Sequence, residues 1–452
     1  MDAPISLRRG WASRLGFVLA AAGSAIGLGN IWKFPYIAGM HGGGAFVLVY
    51  LACILLLGLP IMVAELLIGR CGQRDAVGSF IALEGRSSPW RLVGWASVVA
   101  AFVLLAFYSV VAGWSFDYVL KAATGALYRG SPEQVSGLFG QLTASPLRVI
   151  FWQALFVMAT SGIVIGGIRG GIERWSKILM PGLFALLILL FLYAMFSPGG
   201  QQALRFMFVP DFSKLTSQSV LVALGHAFFT LSLGAGVMIT YGSYLDADAD
   251  LFGLSLRIAF LDTLVAMLAS LTIFSVVFSA GMPIGGGPGL VFETLPILFM
   301  QMPFGQLWAL VFFLLLAFAA LTSAISMLEV VVAYVIDEYR WRRSRATALV
   351  GIAAFALGIP CALSFNLWSH ITLLPGRTVF QSFDLLVSSY MLPLGGLLVA
   401  VYAGWVWAAN QEKAALGGLQ PTLLFGVWHF LVRYFAPVAV LLVLLHEAGV
   451  FR

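Results

Sequence analysis

Long apolar runs alternate with short polar segments along almost the whole chain. The runs are about 20 residues long, which is the helix length that crosses the hydrocarbon core of a bilayer. They predict eleven spans, at about 15–37, 44–69, 92–122, 148–167, 177–197, 219–243, 254–281, 305–337, 346–364, 383–409 and 424–446. The predicted fold class is therefore an all-α polytopic membrane protein with about 11 transmembrane helices.

Composition agrees with this pattern. Of the 452 residues, 61% are hydrophobic and 10% are charged, whereas a soluble domain carries about 25% charged residues. The net charge of +6 is assigned to cytoplasmic loops, which are rich in Lys and Arg in membrane proteins. We therefore expect membrane lipid, and no nucleic acid, as a partner.

The basic residues are distributed unequally between the two sets of loops. One set carries Arg70, Arg74, Arg86, Arg91, Arg169, Arg174, Lys177, Arg340, Arg342, Arg343 and Arg345; the other carries Lys121, Arg129, Arg148, Arg205, Lys214 and Arg377. The excess predicts a cytoplasmic N-terminus, with residues 1–14 as a retained tail rather than a signal peptide. An odd number of spans then places a short C-terminus, residues 447–452, outside.

Glycine-rich stretches interrupt two of the predicted spans. Residues 23–30 of span 1 read GSAIGLGN, and each glycine costs a helix about 1 kcal/mol against alanine. Residues 232–236 of span 6 read SLGAG. A broken helix is tolerated in a bilayer only where it is buried in protein or lines a cavity. Residues 23–30 therefore predict a binding site made partly of backbone.

The placement of the breaks predicts an internal repeat. Spans 1 and 6 would each open a group of five, and paired broken helices indicate an inverted repeat with a central site. We predict one transporter domain over residues 15–446, with repeats 15–197 and 219–409 and an extra helix at 424–446.

Ionisable residues at span depth cost at least about 2.5–3.5 kcal/mol and are candidates for function. The candidates are Lys33, Glu65, Asp262, Glu329 and Asp384. Asp262 lies between apolar residues, so it needs a proton or a cation. Glu65 is interpreted as a partner for backbone N–H groups at one of the breaks, and Glu329 as an interfacial group near the cytoplasmic end of span 8.

Two neighbouring hydroxyls in span 8 are candidates for a cation site. Thr322 and Ser323 follow Ala319 by about one turn, and together these residues could offer three oxygens to sodium, a hard cation. The alternative is that the hydroxyls bond back to their own helix.

Enzyme signatures are absent from the sequence. The three cysteines and five histidines have no metal-ligand spacing, and no nucleophile motif occurs. The glycine-rich segment 281–289 lacks the Lys-Ser/Thr of a phosphate loop and is interpreted as an external loop before a short helix at 292–300. We therefore expect neither an enzyme nor an organic cofactor.

Five motifs resemble one known family. They are WASRLG at 11–16, AGSAIGLGN at 22–30, FP at 34–35, GGGAF at 42–46 and FFTLSLG at 228–234. The chain resembles the neurotransmitter:sodium symporters over residues 11–448, and most of all the bacterial amino-acid branch typified by the leucine transporter. The resemblance implies the leucine-transporter fold, a prokaryotic inner membrane, and sodium-coupled import of a neutral L-amino acid by alternating access.

The resemblance also implies a set of site residues and two bound Na⁺ ions. Sodium 1 would be held by Ala25, Asn30, Thr230 and Asp262, and sodium 2 by Gly23, Ile26, Ala319, Thr322 and Ser323. The substrate would be held by Ala25, Leu28, Gly29, Leu104, Tyr108, Phe229, Thr230, Ser232, Ala235, Ser323 and Met327. The gates would be Lys33 and Asp384 outside, the lid Tyr108 and Phe229, and Arg8, Tyr244 and Asp337 inside.

Several positions depart from the leucine transporter. Asp262 stands where that protein has Asn, near the chloride site of animal relatives, so we expect chloride-independent transport; His226 replaces a family Gln nearby. Ala235 replaces a Phe and Met327 replaces an Ile, which opens volume for a large apolar or aromatic side chain. Ser24, which replaces an Asn, has no assigned role.

Two further features leave alternatives open. Gly171 and Pro181 match a family pattern where span 5 unwinds, or are an ordinary loop glycine and a membrane-helix proline. The chain has no twelfth predicted span, so the oligomeric state stays open. An amino-acid sensor or a cation channel of the same fold is the alternative function.

Overall fold

The structure is a computed structural model that describes residues 10–281, 289–407, 423–447 and 450. In these ranges nine helices are long and apolar enough to cross a membrane, and a bent pair makes a tenth candidate. The nine are Gly44–Gly72, Arg91–Ala123, Pro146–Ile165, Ile168–Met195, Leu251–Ser279, Gly305–Tyr339, Arg343–Leu363, Val379–Val406 and Leu423–Glu447. They correspond in order to predicted spans 2–5 and 7–11, and these span numbers are kept below.

Span 1 is the bent pair. Its two parts, Arg14–Ala25 and Gly29–Met40, meet at an angle of 49°. The first part begins where the Ser13 hydroxyl accepts from the N–H of Gly16, and it ends at Ile26, whose backbone is extended. The glycine-rich stretch therefore breaks the helix as its sequence predicts.

Span 6 is also broken. Helices Ser217–Thr230 and Val237–Gly242 are separated by six residues that include left-handed backbone at Ser232, Gly234 and Gly236, with φ of 54°, 78° and 69°. Glycine adopts such angles without a Cβ penalty. Each part alone is shorter than a bilayer requires, so span 6 is not among the nine long helices given above.

The remaining elements are short. Turns of π-helix lie at Gly29–Lys33, Ile54–Gly58, Ile168–Glu173, Leu290–Thr294, Leu386–Met391, Tyr402–Val406 and Leu431–Phe435. Outside the spans are helices Ala76–Glu84, Pro132–Ala144, Gly200–Phe208 and Leu290–Met300, and 3₁₀ turns Ala126–Tyr128 and Phe212–Lys214. Strands β1 (Thr372–Leu374) and β2 (Arg377–Thr378) form an antiparallel hairpin.

Burial identifies the centre of the bundle. In an apolar stretch of 18 residues, 78% is buried inside the protein in spans 3 and 8. The corresponding values are 33% in span 5 and 28% in span 11. Spans 3 and 8 pack against each other, and the first part of span 1 packs against span 8. The broken helices therefore lie beside the most enclosed helices.

Most predicted boundaries lie within about four residues of the observed ones. The exception is span 5, which begins at Ile168 instead of 177 because the chain continues through Gly170 and Gly171 as a π-turn. Pro181 lies inside the following helix. The helix predicted after the loop at 281–289 is present as Leu290–Met300, while residues 282–288 lie outside the described part of the chain. We name the two ends of the bundle outer and inner according to the predicted orientation.

Candidate ion- and substrate-binding site

The break in span 1 leaves backbone groups that side chains satisfy. The N–H of Gly27 donates to Asn30 Oδ1 at 3.0 Å, and the N–H of Leu28 donates to the Tyr108 hydroxyl at 3.3 Å. Ala25 ends the first helix, and carbonyls in the last turn of a helix have no partner within it. The break therefore contains backbone N–H groups that bond to side chains of spans 1 and 3, next to the carbonyl end of the first helix.

A first cluster of oxygens surrounds Asp262, which is fully buried. Asn30 Nδ2 donates to one carboxylate oxygen at 2.7 Å, and Thr230 Oγ1 donates to the same oxygen at 2.9 Å. The Tyr50 hydroxyl donates to the other oxygen at 3.3 Å. No ion pair among the described residues includes Asp262. Three residues predicted for sodium 1 are therefore together, around a buried carboxylate with neutral donors only.

A second cluster joins span 8 to span 1. Thr322 Oγ1 lies 3.0 Å from the Ala319 carbonyl and 3.5 Å from the Ile26 carbonyl. Ser323 Oγ lies 3.4 Å from the Gly23 carbonyl and 3.3 Å from the Ile26 carbonyl. All five residues predicted for sodium 2 are thus brought together. Their neutral oxygens match the preference of a hard cation.

Gly23 allows this close approach. A Cβ there would lie 3.1 Å from both Met180 Sδ and Thr322 Cβ, tighter than ordinary van der Waals contact. Spans 5 and 8 therefore reach the backbone of span 1 because this residue has no side chain.

Several predicted substrate residues lie against the glycines of the break in span 1. A Cβ on Gly27 would lie 2.5 Å from Ser323 Oγ and 3.0 Å from the Tyr108 hydroxyl, so these groups face the backbone of span 1. A Cβ on Gly29 would lie 3.0 Å from the ring of Phe229. These distances place both predicted lid residues at the break.

The residues predicted to contact the substrate side chain are buried on three spans. Leu104 on span 3, Ala235 in the break of span 6 and Met327 on span 8 have at most 5% of their surface exposed. Ser232 is also buried, and its hydroxyl donates to the Ser24 carbonyl at 3.0 Å.

The two residues predicted for the outer gate lie close together. Lys33 Nζ lies 3.8 Å from Asp384 Oδ1 and 4.5 Å from the centre of the Phe229 ring. Both gate residues and both lid residues, Tyr108 and Phe229, line one cavity of about 150 Å³. Ligand pockets usually measure about 300–1,000 Å³, so the outer side of the site is narrow.

At the inner end, Tyr244, Asp337 and Arg343 line a cavity of about 330 Å³. Arg8, the third predicted residue of the inner gate, lies outside the described residues. Asp337 accepts from the N–H of Asp75 at 2.8 Å.

The interpretation of Glu329 as an interfacial group is wrong. Its side chain is fully buried, pairs with Arg343, and accepts from the Tyr244 hydroxyl at 3.0 Å. A basic residue on the next span satisfies the carboxylate, which lets it lie deeper than its position near a span end suggests. Hydropathy could not reveal that pairing, because Arg343 was counted as a loop residue.

Glu65 has the predicted structural role. Its carboxylate accepts from the N–H of Gly234 at 2.7 Å, at the break of span 6. His226 stacks on Phe34 and Phe229, with ring centres 5.6 and 6.4 Å apart, and contacts the Tyr50 ring at a tilt, with ring centres 5.7 Å apart. It therefore lies among aromatic rings near the first cluster.

Sequence reasoning missed two kinds of partner. Tyr50 touches Asp262, but a tyrosine in a span is usually interpreted as packing or as an interfacial residue. Ser24 and Ser326 share a hydrogen bond of 2.7 Å. The only sequence signal for this contact was that Ser24 replaces an Asn of the leucine transporter.

The bundle has two broken helices at its centre, and two clusters of oxygen atoms lie beside the break in span 1. This arrangement is that of a secondary transporter with the leucine-transporter fold. A sequence model of the sodium:neurotransmitter symporter family matches residues 8–133 and 144–452. The chain belongs to this family, whose members are transporters and not enzymes.

Known relatives agree with the assignment. An uncharacterised sodium-dependent transporter, YhdH, of Bacillus subtilis is 40% identical over 97% of this chain and 98% of its own. The sodium-dependent dopamine transporter of Bos taurus is 25% identical over 98% of this chain and 70% of its own. The crystal structure of MhsT in complex with L-phenylalanine has a TM-score of 0.91 and 46% identity, and the match covers 97% of this chain and 100% of that one. The predicted fold class is confirmed.

Proposed function

We propose that the protein is a symporter that couples two sodium ions to the import of a neutral, large hydrophobic or aromatic L-amino acid, without chloride. The observation that carries this proposal is that both oxygen clusters converge on the broken segment 23–30 of span 1. Ion and substrate would therefore share one piece of backbone.

The backbone of the break would replace water around a zwitterion. The N–H groups of Leu28 and Gly29 and the Tyr108 hydroxyl would bind the substrate carboxylate, since the start of a helix favours negative charge. Carbonyls of Ala25, Phe229 and Thr230 and the Ser232 hydroxyl would bind its ammonium group. Remote apolar contacts would then select the side chain.

The two ions would have different tasks. Sodium 1 would touch the substrate carboxylate as well as Asn30, Thr230 and Asp262, so ion and substrate would strengthen each other's binding reciprocally. Sodium 2 would join span 1 to span 8 and favour the outward-facing state. An ion that crosses about 100 mV supplies about 2.3 kcal/mol, and a tenfold gradient adds about 1.4 kcal/mol. Two ions could support a substrate gradient of several powers of ten.

The substrate class is supported by residues and by a relative. Ala235 leaves room where the leucine transporter has a Phe, and Met327 adapts to irregular shapes. The MhsT structure, a chain 46% identical, was determined with L-phenylalanine. We therefore expect tryptophan, tyrosine, phenylalanine or leucine to bind.

A binding screen of the twenty amino acids, with and without sodium, tests this class. We expect sodium-dependent binding of large apolar and aromatic amino acids, and weak binding of alanine and glycine. The matched variant Ala235→Phe should weaken tryptophan more than leucine, because it refills the space. Stronger binding of alanine or glycine than of aromatics would contradict the proposal.

Chloride independence is tested at Asp262. A fixed negative charge beside sodium 1 would do the work of a chloride ion, so uptake by the unaltered protein should be equal in chloride and gluconate. We expect Asp262→Asn to weaken transport or to make it depend on the anion. Unchanged uptake by that variant in both salts would contradict this role.

The second candidate is a sensor or a cation channel that uses the same oxygens without turnover. The contacts at both ends of the site, Lys33 with Asp384 and Glu329 with Arg343, favour a transporter, because a channel has no use for two gates. Counterflow in proteoliposomes separates the classes. Sodium-dependent exchange indicates a transporter, sodium current without exchange indicates a channel, and binding alone indicates a sensor.

A further inference from the structure

Four serines from three spans meet at one buried place. They are Ser24 of span 1, Ser232 of the break in span 6, and Ser323 and Ser326 of span 8, and we call them the Ser24 cluster. At most 6% of the surface of each is exposed. Buried hydroxyls need hydrogen-bond partners inside the protein, so the contacts within the cluster fix its geometry.

The carbonyl of Ser24 is shared by two hydroxyls. Ser323 Oγ donates to it at 2.9 Å, and Ser232 Oγ donates to it at 3.0 Å. The other carbonyls near Ser323 Oγ, those of Gly23 and Ile26, are farther away at 3.4 and 3.3 Å. Among these three carbonyls, that of Ser24 is therefore the nearest acceptor for the Ser323 hydrogen.

The side chain of Ser24 completes a closed ring of hydrogen bonds between spans 1 and 8. Ser326 Oγ donates to the Ser323 carbonyl at 2.7 Å and lies 2.7 Å from Ser24 Oγ. Because the hydrogen of Ser326 is used on that carbonyl, the hydroxyl of Ser24 faces Ser326 as donor at 2.7 Å, and Ser232 Oγ is a more distant acceptor at 3.3 Å. The ring holds the Ser24 backbone against span 8, the helix that contains Ser323.

A hydroxyl that binds a cation must turn its lone pairs to the ion and its hydrogen to another acceptor. At the second cluster, the carbonyls of Gly23 and Ile26 are predicted sodium ligands, so they are not available to that hydrogen. The Ser24 carbonyl is outside the predicted ligand set and is the nearest of the three carbonyls. It therefore sets the orientation that Ser323 needs for sodium 2.

We propose that Ser24 is a positioning residue that couples the second sodium site to the substrate site. Its carbonyl orients Ser323 for sodium and Ser232 for the substrate ammonium group, and its bond to Ser326 holds that carbonyl in place. The identity of the two ligands rests on the proposed function. If bound sodium shifts the Ser24 carbonyl, the orientation of the Ser232 hydroxyl changes with it, and so does the affinity for substrate. Bound substrate would then change the affinity for sodium by the same factor.

The first test uses sodium alone. The unfolding temperature of the purified full-length protein is measured against sodium concentration, with choline to keep ionic strength constant. The sodium midpoint is the sodium concentration that gives half of the total rise in unfolding temperature. Because each variant loses a buried hydrogen bond, we expect this midpoint to be about 2- to 10-fold higher in Ser24→Ala and in Ser326→Ala. The effect of the double variant should be smaller than the sum of the two single effects, because the bond between Ser24 and Ser326 is lost in both.

Ser270→Ala is the matched control. Ser270 is fully buried in span 7, and its hydroxyl donates to the Ala266 carbonyl of its own helix at 2.8 Å. Its variant should keep the sodium midpoint of the unaltered protein. A lower unfolding temperature in choline with an unchanged sodium midpoint for Ser24→Ala and Ser326→Ala would mean a structural role only. An equal midpoint shift in the control would also overturn the proposal.

The second test adds phenylalanine. In the unaltered protein a fixed concentration should lower the sodium midpoint, and this lowering should be smaller in Ser24→Ala and Ser326→Ala. Equal lowering in all three proteins would overturn the coupling role. If phenylalanine has no effect on the unaltered protein, the proposed substrate class fails, while the sodium midpoints alone still decide whether Ser24 positions Ser323. If Ser24→Ala does not fold, Ser326→Ala removes the same bond from the other side.

Discussion

At the scale of single residues, the glycines of segment 23–30 do more than end a helix. A Cβ on Gly27 would lie 2.5 Å from Ser323 Oγ, and a Cβ on Gly23 would lie 3.1 Å from Thr322 Cβ. Span 8 can bring its hydroxyls to the carbonyls of span 1 only because these positions have no side chain. The same absence leaves the backbone open to a ligand.

Gly27→Ala should therefore weaken binding of sodium and amino acid. Overpacking costs typically about 1–3 kcal/mol, which corresponds to a loss of about 5- to 150-fold in affinity. Equilibrium binding of labelled phenylalanine at saturating sodium measures the effect. The control is Gly162→Ala on span 4, where a Cβ meets no atom within 4 Å. Similar affinity in both variants would contradict the proposed place of Gly27 at the site.

The chemistry of single residues explains which site members could be predicted. Asp262 stood out because a carboxylate in an apolar run is costly, and Thr322 and Ser323 stood out as neighbouring oxygens. Leu28, Gly29 and the other backbone ligands have no chemical mark of their own and came from the family resemblance. Their predicted ligand roles remain proposals.

At the scale of elements, the break in span 6 depends on a carboxylate from span 2. Glu65 accepts from the N–H of Gly234, and a Cβ on Gly234 would lie 2.1 Å from the Leu392 carbonyl of span 10. The broken segment is thus held on one side by a hydrogen bond to Glu65 and on another by close backbone packing.

Glu65→Leu removes the oxygen that accepts from the Gly234 N–H. A buried donor left without a partner costs about 1–3 kcal/mol, so we expect a clear fall in unfolding temperature in detergent. Glu133→Leu, at an exposed position in the outer helix Pro132–Ala144, should change it little. An unfolding temperature for Glu65→Leu equal to that of the control would contradict this role of Glu65 at the break.

The spans could be predicted because hydropathy and length are strong signals in a bilayer. The start of span 5 could not, because Gly170 and Gly171 indicate a loop while the backbone continues as the π-turn Ile168–Glu173. The π-turns in spans 2, 10 and 11 also left no signal in the sequence. The unwinding of span 5 at Gly171 stays a prediction.

At the scale of the whole molecule, a pair of opposite charges lies at each end of the central site. Lys33 and Asp384 lie at the outer end, partly exposed, and such pairs contribute about 0–1 kcal/mol. Glu329 and Arg343 lie at the inner end, where Glu329 is fully buried, and breaking a buried pair costs about 3–5 kcal/mol. We therefore expect the inner contacts to hold more firmly.

Glu329→Gln should shift the population towards an inward-open state. The expected result is faster maleimide labelling of a cysteine placed at Ala333, which lines the inner cavity, in a protein whose three native cysteines are replaced. Lys214→Met, which removes an exposed contact with Asp211 at the outer end, is the control. Labelling as slow as in that control would contradict an inner gate at Glu329.

Sodium-driven accumulation of an amino acid distinguishes symport from binding alone and from channel activity. Proteoliposomes with the purified protein receive labelled phenylalanine outside, either with sodium outside only or with equal sodium on both sides, and a valinomycin–potassium gradient fixes the voltage. We expect uptake above the equilibrium level with the inward sodium gradient, and none above it with equal sodium and no voltage. Accumulation that does not depend on the sodium gradient, or binding without any accumulation, would contradict it.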